Sequence, residues 1–432
     1  MKKSALLLFF SFFGILSAQN NTLSYGFLSE FVEDSTEVYK KVDSIITNGI
    51  KNEAFPSAQV LIAKNAKIIF HKAYGFHTYD SIQPARLDDI YDLASVTKIM
   101  GPLPALMKLV DQGKLDLDKP FSTYWKPWRK RKNKKELTLR EILAHQAGLE
   151  PYIVFLSKVI KKNGALKSRF VKTETNKRFE NEAYPHLYVK NRFNRKMYRV
   201  INRSNVSLKK KYIYSGLTFL IFPKLIEQLT GENYETYLNE NFYIPIGTET
   251  LVFKPETKNF TNKIVPTEID TIFRHTLTQG WVHDENAALL GGVSGNAGLF
   301  GTAIDLAKMM QFYSNFGNYN GYQLISQNTL KEFIKVQYPD NDNRRGLGFD
   351  KPYFNNSELA LADSYPAPEV SSNSFGHSGF TGTFVWADPE NQLVYIFLSN
   401  RVYPSRNHSN IYKLNIRSAI QEVFYKAIIN HK

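Results

Sequence analysis

The apolar residues of this chain follow a strand-like period near both ends. Ala58–Lys64 and Lys67–Ala73 predict two strands joined by a short turn at Asn65 and Ala66. The pattern returns at Phe375–Ala387 and Gln392–Ser399, with residues 388–391 as the connecting turn. Because one face of a sheet has to be buried, these early and late strands are expected to pair in a single sheet that is discontinuous in sequence.

A helical period occupies the remainder of the chain. Glu37–Lys51 and Ile411–Ile429 predict amphipathic helices at the two ends, and Ser95 to about Lys335 reads as mostly helical. The predicted fold class is α/β (α+β), an antiparallel sheet flanked by terminal helices plus an inserted, mainly helical lobe. One domain is expected over residues 38–430, with a sheet lobe at about 38–92 and 340–430 and a helical lobe at about 93–339.

The N-terminus has the features of an export signal. Lys2 and Lys3 precede an apolar run, and Leu16-Ser17-Ala18 is a plausible cleavage site. A membrane anchor is the alternative, but the run is shorter than the ~20 residues that span a bilayer. The sequence therefore predicts a signal peptide at 1–18, an extended lead-in at 19–37, a periplasmic or secreted location, and no transmembrane helix in the mature chain.

The amino-acid composition excludes several kinds of reactive and metal-binding site. The chain has no cysteine, which excludes thiol nucleophiles, disulfides and cysteine-based zinc sites. None of the nine histidines has a metal-ligand spacing, so neither a metal nor another cofactor is predicted. With 43% hydrophobic residues, the chain can build the large core that stability without disulfides requires.

The net charge of +15 is concentrated in two basic clusters, at residues 129–135 and from Lys190 to Lys211, and the second is interleaved with aromatic residues. Such a stretch can bind nucleic acid. The export signal favours instead a solvated surface insertion that faces anionic lipids or glycans of the envelope. No nucleic-acid partner is therefore expected.

The strongest chemical signal is Ser95-Val96-Thr97-Lys98, which follows a strand-like segment at 87–94 and opens a helix. A spacing of three places the hydroxyl and the amine on one helix face, about one turn apart. A nucleophilic serine needs such an adjacent base when no histidine serves it. Alone, the tetrapeptide is also compatible with an ordinary N-capped helix start.

Two further motifs follow in order, Tyr214-Ser215-Gly216 and His377-Ser378-Gly379. Together the three motifs resemble the S-x-x-K, Y-x-N and K-T-G (often H-x-G) motifs of class C β-lactamases, D-alanyl-D-alanine peptidases and related esterases. The segments at 55–63, 138–149 and 282–300 resemble the same family, and the resemblance spans roughly residues 40–425.

The resemblance implies an acyl-enzyme mechanism. Ser95 would be the nucleophile, Lys98 and Tyr214 would share its proton, and which of the two is the resting base stays open. The backbone N–H groups of Ser95 and Phe380 would form the oxyanion hole, with Gly379 leaving room for substrate and Thr381 beside it.

His377, in place of the usual lysine, is expected to donate a hydrogen bond to Tyr214 or to a substrate carboxylate. It would carry full positive charge only below a pKa of ~6.5.

Gly216 departs from the family pattern, because the usual asparagine reaches the amide of a peptide or β-lactam. The sequence thus predicts an exported serine hydrolase acting on a small-molecule or peptidoglycan-derived substrate: a cell-wall peptide, an ester or a β-lactam. The alternative is a catalytically weak envelope protein that holds a cell-wall ligand in the same cleft.

Other conspicuous residues have ordinary structural interpretations. His145, in an apolar helical context, is expected to be a hydrogen-bonded core histidine. His283 and Asp284 are expected to form a structural pair near the cleft rather than a catalytic one. Tyr152, Trp281 and Phe300 are candidates to line the pocket because they adjoin the motifs.

Overall fold

The computed structural model describes residues 22–260 and 263–429. The segment 1–18, interpreted above as an export signal, and residues 19–21 of the lead-in lie outside the described residues. Within the described part of the chain, every helix is too short or too polar to cross a bilayer.

The strands are β1 Ser24–Tyr25, β2 Ser57–Lys64, β3 Lys67–Gly75, β4 Tyr91–Asp92, β5 Val171–Lys172, β6 Asn181–Tyr184, β7 Leu187–Val189, β8 Val252–Phe253, β9 Glu268–Asp270, β10 Thr276–Thr278, β11 Leu299–Gly301, β12 Asn318–Tyr319, β13 Tyr322–Gln323, β14 Phe375–Ser378, β15 Phe384–Asp388 and β16 Leu393–Ser399.

The α-helices are α1 Ser35–Lys51, α2 Thr97–Met100, α3 Pro102–Asp111, α4 Leu139–Leu143, α5 Leu156–Val159, α6 Phe193–Arg203, α7 Phe222–Thr230, α8 Tyr234–Leu238, α9 Ile244–Ile246, α10 Glu285–Leu289, α11 Ala303–Ser314, α12 Gln327–Ile334, α13 Asn410–Lys413 and α14 Ile416–Ile429.

The main sheet joins the two ends of the chain, as predicted. Its strand order is β1-β3-β2-β16-β15-β14, and β2 pairs antiparallel with β16, Ala58 opposite Ser399 and Lys64 opposite Leu393. Helices α1 and α14 pack on one face through residues such as Val42, Ile46 and Phe424, while α11 lies against the other. Both faces are covered, which is why β2 and β16 are buried along their whole length and mostly apolar.

The apolar run Phe375–Ala387 is two strands, which corrects the expectation of one. β14 and β15 form a hairpin around residues 379–383, where Gly382 has φ +104°. A positive φ is accessible to glycine and ends the extended run. The His377 motif consequently closes a strand instead of opening one.

Both ends of the domain also differ in detail from the prediction. Helix α1 begins two residues early because the Asp34 carboxylate caps it by accepting the Glu37 N–H at 2.9 Å. The lead-in is only partly irregular, since β1 pairs in parallel with β3. The closing helix is interrupted at Asn415, whose φ of +46° separates α13 from α14.

The middle of the chain is less helical than predicted. It contains a three-stranded sheet β5-β7-β6 and a second one, β4-β11-β8. The second sheet positions the site, because β4 ends just before Ser95. β11 pairs with β4, and the Leu93 N–H donates to the Leu299 carbonyl of β11 at 3.0 Å.

Candidate active site

Ser95 lies on a tight turn. Only Tyr91–Asp92 of the expected strand-like segment is a strand, Ala94 has φ +44°, and residues 94–96 form a 3₁₀ turn before α2 begins at Thr97. The buried Asp92 carboxylate accepts the N–H of Ala94 at 2.8 Å and that of His283 at 2.7 Å. Asp92 therefore fixes the backbone immediately before the serine.

Lys98 lies where the motif predicted it. Its Nζ donates to Ser95 Oγ at 2.9 Å and to the Asn296 carbonyl at 3.0 Å. The side chain is buried, and the ring centroids of Tyr214 and Phe219 are 5.4 and 5.5 Å from Nζ. Among the described residues no carboxylate lies within ion-pair distance of Lys98. Its only strong contacts are with the serine hydroxyl and one carbonyl.

The residues that follow the third motif hydrogen-bond to the segment before Ser95. Thr381 Oγ1 donates to the Asp92 carbonyl at 2.7 Å, and Thr383 Oγ1 donates to the Leu93 carbonyl at 3.2 Å. A Cβ on Gly379 would lie 2.6 Å from the Leu93 carbonyl oxygen. The space beside Gly379 is thus filled by protein, where room for substrate was expected, and the Thr381 hydroxyl is turned inward.

Ser95 and Phe380, the two predicted oxyanion donors, both line the cleft. None of the described turn and loop hydrogen bonds uses either backbone N–H. The Phe380 side chain is half exposed and stacks on the His283 ring, with centroids 5.7 Å apart. Both N–H groups are accordingly available to a ligand.

His377 is a neutral acceptor, contrary to the expected donor. Its Nδ1 lies 2.7 Å from the Ser378 carbonyl oxygen, which can only accept, so Nδ1 carries the proton. Burial, with the positive charges of Arg345 and Lys98, lowers the pKa of His377 to about 3. Nε2 is then an unprotonated nitrogen, buried and without a partner among the described residues.

Arg345 supplies the positive charge that His377 lacks. It is 2% exposed, and its guanidinium carbon lies 5.8 Å from the Tyr214 ring centroid. Its partners are Asp350, at 3.2 Å from Nη1, and the Gly348 carbonyl. Asp350 in turn exchanges both backbone hydrogen bonds with Gly376 of β14. Arg345 is therefore held beside the third motif.

His145 is buried, but it is not an ordinary core residue. Its Nδ1 accepts the Ser215 N–H at 3.2 Å, while Nε2 has no partner among the described residues. The ring packs on Tyr214 with centroids 4.6 Å apart. Burial first, then the charges of Arg345, His377 and Lys98, lowers the pKa of His145. The tyrosine is thus bounded by a neutral histidine on one side and an arginine on the other.

His283 and Asp284 both line the cleft, although they do not pair with each other. His283 Nε2 contacts Glu268 at 2.8 Å, while Asp284 caps α10 and accepts the Asn296 amide at 3.1 Å. Of the three further candidates, Tyr152 is at the wall, whereas Trp281 and Phe300 are buried away from it.

Gly216 leaves open space where the family pattern has a side chain. A Cβ built on it meets no heavy atom within 4 Å. The Gly216 N–H donates to the Pro151 carbonyl at 3.2 Å. An asparagine would therefore fit here without moving its surroundings.

The cleft has two halves that meet at Ser95. The larger, of about 440 Å³, has a mainly apolar wall that includes Val154, Leu156 and Ile272. The smaller, of about 310 Å³, is polar and contains Tyr214, Arg345 and His377. Sequence reasoning missed Arg345, Asn296 and Asp92, since each reaches the site through a residue distant in sequence: Arg345 through Tyr214, Asn296 through Lys98 and Asp92 through His283.

The family model described as Beta-lactamase matches residues 42–417. The chain belongs to the Beta-lactamase family. It is a serine hydrolase of the β-lactamase, D,D-peptidase and esterase type. Two similar proteins, from Salmonella gallinarum and Salmonella typhimurium, carry the name "Putative D-alanyl-D-alanine carboxypeptidase". Each is 30% identical over 392 residues, covering 85% of this chain and 83% of its own length.

Solved structures show the same fold. EstCE1, a hydrolase with promiscuous acyltransferase activity, superposes with a TM-score of 0.62 at 17% identity, covering 89% of this chain and 98% of its own. A class C β-lactamase from Rhodobacter sphaeroides gives 0.62 at 13% identity, with 88% and 98% coverage. A penicillin-binding protein homologue from Caulobacter crescentus gives 0.62 at 15%, with 91% and 99% coverage.

Proposed function

We propose that this family member is an exported hydrolase that forms an acyl-enzyme on Ser95 with a peptide or ester carbonyl. The observation that carries the proposal is the 2.9 Å contact between Lys98 Nζ and Ser95 Oγ in a cleft that also contains Tyr214. A base within hydrogen-bond reach is what a serine nucleophile requires. The names of the Salmonella relatives support a substrate from cell-wall peptides.

In the proposed reaction, the Lys98–Tyr214 pair takes the Ser95 proton as Oγ bonds to the substrate carbonyl carbon. The oxyanion is stabilised by the N–H groups of Ser95 and Phe380. The tetrahedral adduct collapses with loss of the leaving group, which receives the proton from the same pair. Water then attacks the acyl carbon and releases Ser95.

The two halves of the cleft support a proposal for how the two parts of the substrate bind. The leaving group must lie within reach of Tyr214 to receive its proton, which places it in the smaller, polar half. The acyl part then occupies the larger half, whose wall is mainly apolar. With Gly216 in place of an asparagine, no side-chain hydrogen bond is offered to an acyl amide at that position, so we expect esters to acylate Ser95 at least as readily as peptides.

Intact-mass analysis tests the proposal. The protein is incubated with a fluorophosphonate and, separately, with a penicillin, alongside Ser95→Ala. A Ser95-dependent mass gain with either reagent is the expected result, and a gain with penicillin extends the substrates to β-lactams. Folded protein that gains no mass from either reagent would instead indicate a ligand-holding protein without catalysis.

A further inference from the structure

A second groove lies on the helical lobe, lined by none of the residues that line the cleft at Ser95. It has a volume of about 330 Å³, at the low end of the ~300–1,000 Å³ of small-molecule sites. Its lining comes from two segments, residues 125–131 and α6, and each segment overlaps one of the two basic clusters of the sequence. The residues are Trp125, Pro127, Arg131, Arg195, Tyr198, Arg199 and Asn202.

The groove has rigid walls. Asn202 Oδ1 accepts both indole N–H groups, from Trp125 at 2.8 Å and from Trp128 at 2.9 Å. The fully buried Lys134 donates to the Ser204 carbonyl at the end of α6. These contacts bind the two segments together before any ligand arrives, so little ordering entropy opposes binding.

Three guanidinium groups face the groove without counterions. Among the described residues, no carboxylate lies within ion-pair distance of Arg131, Arg195 or Arg199. The Arg131 Nε is buried and has no hydrogen-bond partner in the described chain.

The chemistry of the lining selects the ligand class. The planar guanidinium matches phosphate oxygens in a bidentate fashion, and three of them match a dianion better than one carboxylate. Trp125 and Tyr198, whose ring centroids are 5.9 Å apart at 82°, add apolar ring surface at the same site. We infer that this groove binds a phosphate-bearing ligand, either a lipid headgroup or a soluble phosphorylated sugar. This inference does not depend on the proposed function.

Calorimetric titration in 100 mM salt tests whether the groove binds phosphate. One probe is glucose 6-phosphate, and the other is vesicles of phosphatidylglycerol in phosphatidylcholine. Vesicles of phosphatidylcholine alone are the reference. The variant Arg195→Ser/Arg199→Ser removes two exposed side chains of the groove. The matched control, Lys40→Ser/Lys413→Ser, removes the same charge from exposed positions on α1 and α13.

We expect the wild type and the control to bind at least one probe equally well, and the groove variant to bind it at least tenfold more weakly. Arg195→Lys/Arg199→Lys should lose part of this affinity, since lysine keeps the charge but not the bidentate geometry. Binding of the sugar phosphate assigns a soluble ligand, and binding of the anionic vesicles alone assigns a headgroup.

Three results would overturn the inference. One is a wild type that binds neither probe, and another is an equal loss in the groove variant and the control, which would reflect net charge alone. The third is groove-dependent binding of a 20-nucleotide single-stranded DNA that is tighter than binding of both phosphate probes. Hydrolase activity toward an ester should be unchanged in every variant.

Discussion

At the scale of single residues, the hydrogen-bonding position and the positive charge near Tyr214 come from two different residues, His377 and Arg345. His377 keeps the hydrogen-bonding position on the strand but is neutral, with a pKa of about 3. Arg345 supplies a permanent positive charge beside Tyr214 from a loop held to β14 by Asp350.

Arg345→Gln should lower kcat/KM for an ester by about tenfold or more, because a positive charge beside Tyr214 in the cleft is lost (about 1.4 kcal/mol per factor of ten). Arg345→Lys should recover part of the rate, since it keeps the charge. Steady-state kinetics between pH 5 and 9 measure both variants, with circular dichroism confirming the fold. Equal rates for Gln and Lys would exclude an electrostatic role.

Gly216→Asn should fold normally, because the space beside Gly216 is open. The added amide can reach an acyl amide, and one hydrogen bond contributes ~1 kcal/mol. We expect acylation by a penicillin to rise severalfold relative to acylation by a simple ester, measured as the ratio of the two rate constants. Gly216→Ala is the control and should leave that ratio unchanged.

At the scale of elements, the site is built by fastening the β14–β15 hairpin to the turn before Ser95. The hydroxyl groups of Thr381 and Thr383 donate hydrogen bonds to two successive backbone carbonyls, those of Asp92 and Leu93. Gly379 permits the approach, since any Cβ there would collide with Leu93. Ser95 and Phe380, the proposed nucleophile and oxyanion donor, are thus positioned by one set of contacts.

Gly379→Ala should separate the hairpin from the Ser95 turn. The overpacking is expected to cost ~1–3 kcal/mol of unfolding free energy and to reduce kcat more than KM, because the oxyanion donors move apart. Thermal unfolding and ester kinetics measure the two effects. Gly216→Ala offers a matched comparison, with stability expected within about 0.5 kcal/mol of wild type. A fully active Gly379→Ala enzyme would contradict this account.

Some of these elements could be predicted from the sequence and others could not. The strands β2, β3 and β16 and helix α1 were predictable, because their apolar periods are long and unbroken. The hairpin inside Phe375–Ala387 was not, since the break depends on one glycine in a run that reads as strand. Ser95, Lys98, Tyr214 and His377 were predicted from motifs; Ser95, Tyr214 and His377 line one cleft, and Lys98 contacts Ser95. Arg345 sits in a charged run typical of a solvated loop, so only the fold reveals its burial.

At the scale of the whole molecule, burial lowers the pKa of three histidines. Burial lowers the pKa of His71 to about 4, and burial with neighbouring positive charges lowers those of His145 and His377. Each takes up a proton more readily in the unfolded chain, at its ordinary value near 6.5. Stability is therefore expected to rise with pH up to about 6.5 and to be lost as pH falls below it.

Urea unfolding at pH 7.5, 6.5 and 5.5 should show this loss, with a slope approaching ~1.4 kcal/mol per pH unit for each buried histidine. His71→Gln should make the slope shallower, because one of the three groups is removed. The exposed His186 provides the control, as His186→Asn. A slope that His71→Gln leaves unaltered would show that other groups dominate the acid response.

The pairing of β2 with β16 has a consequence for biosynthesis. Ser57 and Asn400, hydrogen-bonded at the end of this pairing, are 343 positions apart. When the first three quarters of the chain have been synthesised, β14, β15 and β16 have not yet been made. The nascent protein then lacks both half of the main sheet and the third motif. We therefore expect hydrolase activity only after the last strands have been synthesised, because the sheet and the third motif are incomplete until then.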